Sequence, residues 1–282
     1  MDLAAQLVVS GLLAGAPYAL AAWGMAVALS TGTLNLALGV FFTLGVYLAL
    51  EATARGMPAF YAAPAAALAA LVAGLCIERV FVRRLRAQPL AAAAALLALA
   101  VAGEGAFRLL WGAAPRSVPL KLQVVQIEHV VVAGLELFVA AGAALAFFAV
   151  VARARRTRTG LALRAAAENA EIASCSGLDI GRVRMWAFAA SCAAAAAAGA
   201  FVSPITPVSP SMGRGALFLS LAAVTAGGPG LAGMLAASLA LGVVTQSSSN
   251  YLAPQWGVVI PVIVLAGAAA WRRSPLWRRA GA

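Results

Sequence analysis

Residues 135–202 decide the fold, since they read LELFVAAGAALAFFAVVA at 135–152, RARRTRTGLALRAAAENAEIASCSGLDIGRVR at 153–184 and MWAFAASCAAAAAAGAFV at 185–202. The first and third pieces are apolar and close to the roughly 20 residues that a helix needs to cross a bilayer. The piece between them is hydrophilic and rich in arginine. This pattern predicts two membrane helices joined by a hydrophilic loop.

The same alternation of apolar runs and short polar stretches extends along the chain. Of the 282 residues, 63% are hydrophobic and only 10% are charged, whereas an average soluble domain has about 25% charged residues. No stretch has the composition of an independent soluble domain. We therefore predict an all-α polytopic membrane protein, a single transmembrane domain covering residues 1–282 with about eight or nine transmembrane or re-entrant helices.

The formal net charge is +11, but the basic residues do not form the continuous patch that nucleic-acid binding requires. Most of them fall in three regions between apolar runs, which the positive-inside rule assigns to the cytoplasm. The remaining basic residues then lie at or near the outer side. The three regions contain Arg79, Arg83, Arg84 and Arg86; Arg153, Arg155, Arg156, Arg158, Arg164, Arg182 and Arg184; and Arg272, Arg273, Arg278 and Arg279.

The apolar runs give nine candidate membrane segments, with the N-terminus outside if all of them cross. The run at 34–50 is short for a full crossing, so a broken or re-entrant helix is an alternative there. Residues 112–134 are predicted to form an outer loop holding a short hairpin rich in Val and Ile. The nine segments are 3–28, 34–50, 58–78, 90–111, 135–152, 185–202, 214–226, 231–246 and 256–271.

A group of polar residues interrupts the apolar pattern after the first segment: Ser30, Thr31, Thr33 and Asn35. At a break between membrane helices, their side chains could offer hydrogen bonds to a polar solute and so form a translocation pathway. They could equally satisfy exposed backbone groups. The sequence leaves both interpretations open.

The hydrophilic segment 153–184 is predicted to lie on the cytoplasmic face and to contain a short helix. Ala, Leu, Arg and Glu favour a helix over 161–173. Gly177 can end it in a left-handed conformation, and Asp179 can cap the next helix. A surface helix whose apolar face is too small to insert into the membrane suits the docking of another protein.

The sequence does not indicate that this chain hydrolyses a nucleotide or catalyses a reaction. There is no G-x-x-x-x-G-K-[ST] phosphate-binding loop, and the G-x-G-x-x-G at residues 228–233 lies between apolar runs, where a tight helix-to-helix turn is expected. No catalytic, metal or cofactor site is predicted. Glu104 and Arg108, at helical i, i+4 spacing near the outer end of the fourth segment, form either a structural ion pair or part of a pathway.

Five motifs occur in order along the chain. They are GAPYAL at 15–20, GTLNL at 32–36, a spaced pattern at 160–182, PSMG at 210–213 and GGPG at 227–230. The spaced pattern consists of Gly160, Arg164, Ala165, Asn169, Ala173, Gly177 and Arg182. Their order resembles that of permeases of the branched-chain amino acid type ABC transporter family. The resemblance implies that the pattern at 160–182 is an ATPase-coupling loop whose residues are Gly160, Arg164, Ala165, Glu168, Asn169, Ala173, Gly177 and Arg182.

The resemblance also implies partners and a location. Such permeases work in the bacterial inner membrane, paired with a second permease or a copy of themselves. Two cytoplasmic ATP-binding subunits and an external substrate-binding protein complete the importer. The solute would be a branched-chain or other amino acid, an amide, urea or an organic acid. Leu38 and Val40 stand where the family usually has histidine and glutamate, which favours a different solute.

Two other classes of protein remain as alternatives. An ion-coupled secondary transporter or channel would act without an ATPase, but it is expected to hold an ionisable group near mid-membrane. Apart from Glu104 and Arg108, the predicted spans offer almost none. A membrane enzyme would need a reactive cluster of side chains.

Overall fold

The computed structural model describes residues 3–57, 59–117, 124–127, 130–228 and 230–251, with a few single residues between 259 and 267. Within these residues the protein is a bundle of apolar helices with one short hairpin. The helices are α1 Leu3–Ser30, α2 Leu38–Ala54, α3 Ala59–Ile77, α4 Arg83–Leu85, α5 Pro89–Trp111, α6 Gly134–Arg156, α7 Arg158–Glu168, α8 Ala170–Cys175, α9 Ile180–Val202, α10 Met212–Gly227 and α11 Leu231–Tyr251.

Six of the described helical stretches are long and apolar enough to cross a membrane, and α2 and α10 are shorter apolar helices. The third stretch is continuous from Tyr61 to Leu85, because a π-helical turn at Glu78–Val82 joins α3 to α4. The predicted all-α polytopic fold is therefore confirmed. The predicted ninth segment, 256–271, and the terminal arginines lie largely or wholly outside the described residues.

At the centre of the bundle lies α9, which packs closely against both α1 and α2 at glycines. A side chain at Gly45 of α2 would collide with the Ala196 carbonyl of α9, and one at Gly199 of α9 would meet the Phe42 carbonyl. Small residues let helix backbones approach in this way, which is how membrane helices commonly associate. By contrast, α5 and α6 bury only a small share of their residues, as expected for helices facing lipid or another subunit.

Two contacts define the ends of the bundle. At one end, Arg116 and Val208 pair as an isolated antiparallel bridge, which ties the connection after α5 to the connection between α9 and α10. At the other end, Arg86 Nη2 donates to the Gly181 carbonyl at 3.3 Å. The first two basic regions thus lie at the same end, which we call the inner end; its cytoplasmic orientation stays a prediction.

The predicted hairpin is present in the 112–134 connection at the opposite, outer end. Strands β1 (Val124–Ile127) and β2 (Val130–Ala133) pair antiparallel, with Val124 opposite Ala133 and Ile127 opposite Val130.

Candidate functional site

The segment between α6 and α9 forms the first part of the site. It is shorter than predicted, because α6 extends to Arg156 and α9 begins at Ile180, so Arg153 and Arg184 lie on membrane helices. Thr157 begins α7: its Oγ1 accepts a hydrogen bond from the Gly160 backbone N–H at 3.3 Å. Gly160 is buried, and any side chain there would collide with the Ala154 carbonyl. The glycine therefore lets α7 fold back against the end of α6.

The predicted single helix over 161–173 is wrong, because the chain breaks at Asn169. This residue is extended, with φ −157° and ψ 105°, and its Oδ1 accepts hydrogen bonds from the backbone N–H groups of Glu171 and Ile172, both at 3.0 Å. Asparagine side chains compete with helical hydrogen bonding in this way and cap the helix that follows. Two short helices, α7 and α8, therefore replace the one predicted.

The predicted helix end at Gly177 is confirmed. Its φ is +83°, in the left-handed region that glycine adopts without steric cost. The Gly177 N–H donates to the Ser174 carbonyl and the Leu178 N–H to the Ala173 carbonyl, which together make a Schellman motif. The predicted Asp179 cap is also present, since its Oδ1 accepts from the Arg182 N–H at 3.1 Å.

We call residues 157–179 the α7–α8 unit. All eight residues predicted for ATPase coupling lie in this unit or, in the case of Arg182, in the first turn of α9. Arg164, Glu168, Asn169 and Arg182 are exposed, whereas Ala173 and Gly160 are buried and Ala165 is half-buried. The unit also exposes Leu161 and Ile172. It presents cationic and apolar side chains side by side at the inner end, and the docking of an ATPase there stays a prediction.

The second part of the site is the non-helical segment 31–37 between α1 and α2. The predicted run 34–50 starts too early, since Leu34–Ala37 precede α2. Asn35 is fully buried, and its Nδ2 donates to Ser191 Oγ at 3.0 Å, halfway along α9. The segment therefore lies deep in the bundle rather than at its surface. Among the described residues, the buried Asn35 Oδ1 has no hydrogen-bond partner.

The other three predicted pathway residues lie closer to the inner end than Asn35 does, at the end of α1 and beside a cavity. Ser30 Oγ and Thr31 Oγ1 donate to the carbonyls of Val27 and Ala28, at 2.8 and 2.9 Å, and so cap the end of their own helix. Thr31 and Thr33 also line a cavity of about 500 Å³ together with Arg86, Arg184 and part of α5. We call this the inner cavity.

A smaller cavity of about 140 Å³ lies further along α5, towards the outer end, and we call it the outer cavity. Its walls come from the start of α2, the middle of α5 and the first residues of α10. Most of the lining is apolar, and Thr43, Glu104 and Arg214 supply its polar side chains. The two cavities follow one another along α5: Leu96 lines the inner cavity and Leu97 the outer one.

The predicted Glu104–Arg108 ion pair is confirmed, with Arg108 Nη2 donating to Glu104 Oε1 at 2.5 Å. Sequence reasoning missed the third member. Arg214 Nε, from the first turn of α10, donates to Glu104 Oε2 at 2.7 Å. No local spacing could reveal this contact, because the two residues are 110 positions apart. We call the three residues the outer charged cluster.

A second buried ion pair was also missed. Glu78, only 1% exposed, pairs with Arg86, which also donates to the Gly181 carbonyl. The π-helical turn begins at Glu78 and lies between the two partners. The pair thus joins the end of α3 to the start of α9, next to the α7–α8 unit. The position of Glu78 at the end of an apolar run, with arginines after it, was the available sequence signal.

Metal binding has no support in the described part of the chain, where no three His, Cys, Asp or Glu side chains are grouped suitably. One of the comparisons with known proteins gives a match. The family model described as "Branched-chain amino acid transport system / permease component" matches residues 7–269. Neither the curated proteins nor the solved structures give a match.

Proposed function

Because the chain belongs to the family of branched-chain amino acid transport permease components, we propose that it is the membrane-spanning subunit of an ABC importer. It would carry a small polar solute inward across the bacterial inner membrane. A second permease, identical or different, two cytoplasmic ATP-binding subunits and an external substrate-binding protein would complete the assembly. The family match over residues 7–269 is the observation that carries this proposal.

The α7–α8 unit supports the role of the ATP-binding subunits. It is short, Thr157 caps the start of α7, Asn169 caps the start of α8 and Gly177 ends it, and Leu161 is exposed. The exposed Arg164 donates from Nη2 to the Arg155 carbonyl of α6 at 3.1 Å. A compact, capped unit can transmit the movement of a docked protein without unfolding first. The Arg86 contact to Gly181 then links the start of α9 to the end of α3. ATP-driven movement at the inner end would reach both membrane helices.

The arrangement of the cavities supports a pathway along α5. Alternating access requires a protein to open to one side while it stays closed to the other. In this structure the inner and outer cavities meet near Leu96 and Leu97, and Leu34 and Leu36 come from the facing non-helical segment. We propose that these leucines form the constriction between the cavities. Thr31 and Thr33 would then line the inner half of the route.

An ion-coupled carrier is the alternative class of protein. Such a carrier binds its driving ion at an ionisable group within the membrane. The two buried carboxylates in the described spans, Glu78 and Glu104, are each paired with arginine. An arginine-paired carboxylate is a poor proton or sodium site, because the guanidinium already neutralises it.

The first test is dependence on ATP. The affinity-tagged chain is purified under mild conditions and reconstituted into liposomes together with its substrate-binding protein, with and without the nucleotide-binding subunit that accompanies it. Uptake of a radiolabelled solute that the binding protein captures is measured. We expect uptake only with the subunit and ATP. Uptake by the chain alone, driven by a proton or sodium gradient, would identify a secondary carrier instead.

A matched pair of substitutions at Gly177 tests the α7–α8 unit. A β-branched residue with a positive φ is strained, whereas asparagine tolerates that region. We expect Gly177→Val to lower the amount of co-purified nucleotide-binding subunit and its ATP-driven uptake several-fold. Gly177→Asn should keep both near the parent level, and both variants should reach the membrane. Equal co-purification and uptake by Gly177→Val and the parent would contradict a coupling role.

A further inference from the structure

The outer charged cluster contains more positive than negative charge. Glu104 is buried, and each of its two carboxylate oxygens already accepts a hydrogen bond, one from Arg108 and one from Arg214. Two guanidinium groups therefore share one carboxylate. Arginine stays protonated in proteins, so the three residues together carry a surplus positive charge.

The two guanidinium groups also have donors to spare. A guanidinium offers five N–H donors in a fixed planar arrangement that suits carboxylates. The side chains of Arg108 and Arg214 are 52% and 62% exposed. A simple clamp between α5 and α10 would need one arginine only. The second arginine and the exposure of both leave N–H groups accessible to an anion.

The cavity beside the cluster is apolar apart from three side chains. Arg214 and Glu104 line it at the polar end, and the remaining wall includes Leu97, Val101 and Leu217. Its volume is about 140 Å³. An apolar protein cavity of roughly 150 Å³ accommodates a molecule the size of benzene. The space therefore suits an apolar group of a few carbon atoms.

We propose that the outer cavity binds a monocarboxylate with a small apolar body. The carboxylate accepts hydrogen bonds from Arg214, which lines the cavity, and the body lies against Leu97, Val101 and Leu217. Arg108, paired with the other oxygen of Glu104, adds positive charge beside the cavity. An amino group is not required, because the charge of Glu104, the acidic residue of the lining, is already paired with two arginines. This inference rests on the proposed function in one respect: if the chain is a permease, the bound ligand is the transported solute.

The test compares three small molecules that share one apolar body: 4-methylpentanoate, L-leucine and L-leucinamide. The purified chain in lipid nanodiscs is titrated with each, and binding is followed by saturation-transfer difference NMR. We expect 4-methylpentanoate to bind at least as tightly as L-leucine. L-Leucinamide, which lacks the carboxylate, should bind about tenfold or more weakly, since a hydrogen bond to a charged group contributes roughly 1.5–3 kcal/mol.

Three variants separate the charge from the shape of the cavity. Arg214→Gln should weaken 4-methylpentanoate binding about tenfold or more. Val101→Trp fills the cavity without changing the cluster and should also weaken it. Arg55→Gln is the matched control, because Arg55 is an exposed arginine at the same end that pairs with Glu51. It should leave binding unchanged.

Three results would overturn the proposal. L-Leucinamide binding as tightly as 4-methylpentanoate, or full binding by Arg214→Gln, would show that the cluster only clamps α5 to α10. Tight binding of L-leucine with loss of 4-methylpentanoate would show that the amino group is recognised. ATP and partner subunits play no part in these titrations, so this inference and the proposed function can fail separately.

Discussion

The two ends of the bundle hold their charges in different ways. At the inner end, the Glu78 side chain is 2% exposed and its partner Arg86 is 23% exposed. At the outer end, the Glu104 side chain is 10% exposed, and Arg108 and Arg214 are half-exposed or more. Cations line a cavity at both ends, since Arg86 and Arg184 line the inner one. The difference is that the inner carboxylate is paired with one enclosed arginine, whereas the outer carboxylate is shared by two accessible arginines, which leaves donors for an anion.

The largest expected effect is at the inner pair. Arg86→Met leaves the Glu78 carboxylate buried without its cation, and breaking a buried pair from one side costs about 3 kcal/mol or more. We expect a clear fall in the midpoint of thermal unfolding of the purified protein in mild detergent. The double variant Glu78→Gln/Arg86→Met should recover part of the loss, because no buried charge remains. An unchanged midpoint for Arg86→Met would mean that the two ends do not differ in this way.

A smaller effect is expected between the two ends, where packing rather than charge holds the helices. Gly45→Ala would place a methyl group against the Ala196 carbonyl and force α2 away from α9. Overpacking of this kind costs about 1–3 kcal/mol. The matched control is Gly105→Ala on α5, where an added methyl group meets no atom within 4 Å. Thermal unfolding should separate the two variants, and equal midpoints would contradict the close α2–α9 contact.

The smallest effect is expected at the outer cluster. Arg108→Met removes a half-exposed guanidinium, and Glu104 keeps its hydrogen bond to Arg214. An exposed ion pair contributes up to about 1 kcal/mol. The midpoint of unfolding should therefore stay near that of the parent, in contrast to the same substitution at Arg86. A loss as large as that of Arg86→Met would show that the outer cluster is mainly structural.

Much of the α7–α8 unit could be predicted from local residues. Gly177 and Asp179 act within a few positions of themselves, so their cap geometry follows from residue type and spacing. Asn169 was expected inside a helix, because the surrounding Ala, Leu and Glu favour one. Its side chain instead accepts two backbone N–H groups and starts a second helix. Helix propensity averaged over the thirteen residues 161–173 does not show that a single side chain competes for backbone hydrogen bonds.

For the four residues predicted to form a pathway, by contrast, the contacts could not be predicted from local residues. Ser30, Thr31, Thr33 and Asn35 stand out in the sequence because they are polar in an apolar region. Residue type does not say what they touch, however. Ser30 and Thr31 bond to their own helix, Asn35 bonds to α9, and Thr31 and Thr33 reach a cavity completed by α5.

The sequence alone determined that this is a multi-pass helical membrane protein and where most of its apolar helices lie. Hydrophobicity and charge are properties of each residue, so the length of the apolar segments and the positions of the arginines between them can be read from the sequence without a structure. Only the tertiary structure brought Arg214 to Glu104, joined Glu78 to Arg86 across a π-helical turn and aligned two cavities along α5. These contacts depend on how closely small residues let the helices pack, and that distance is a property of the assembled bundle.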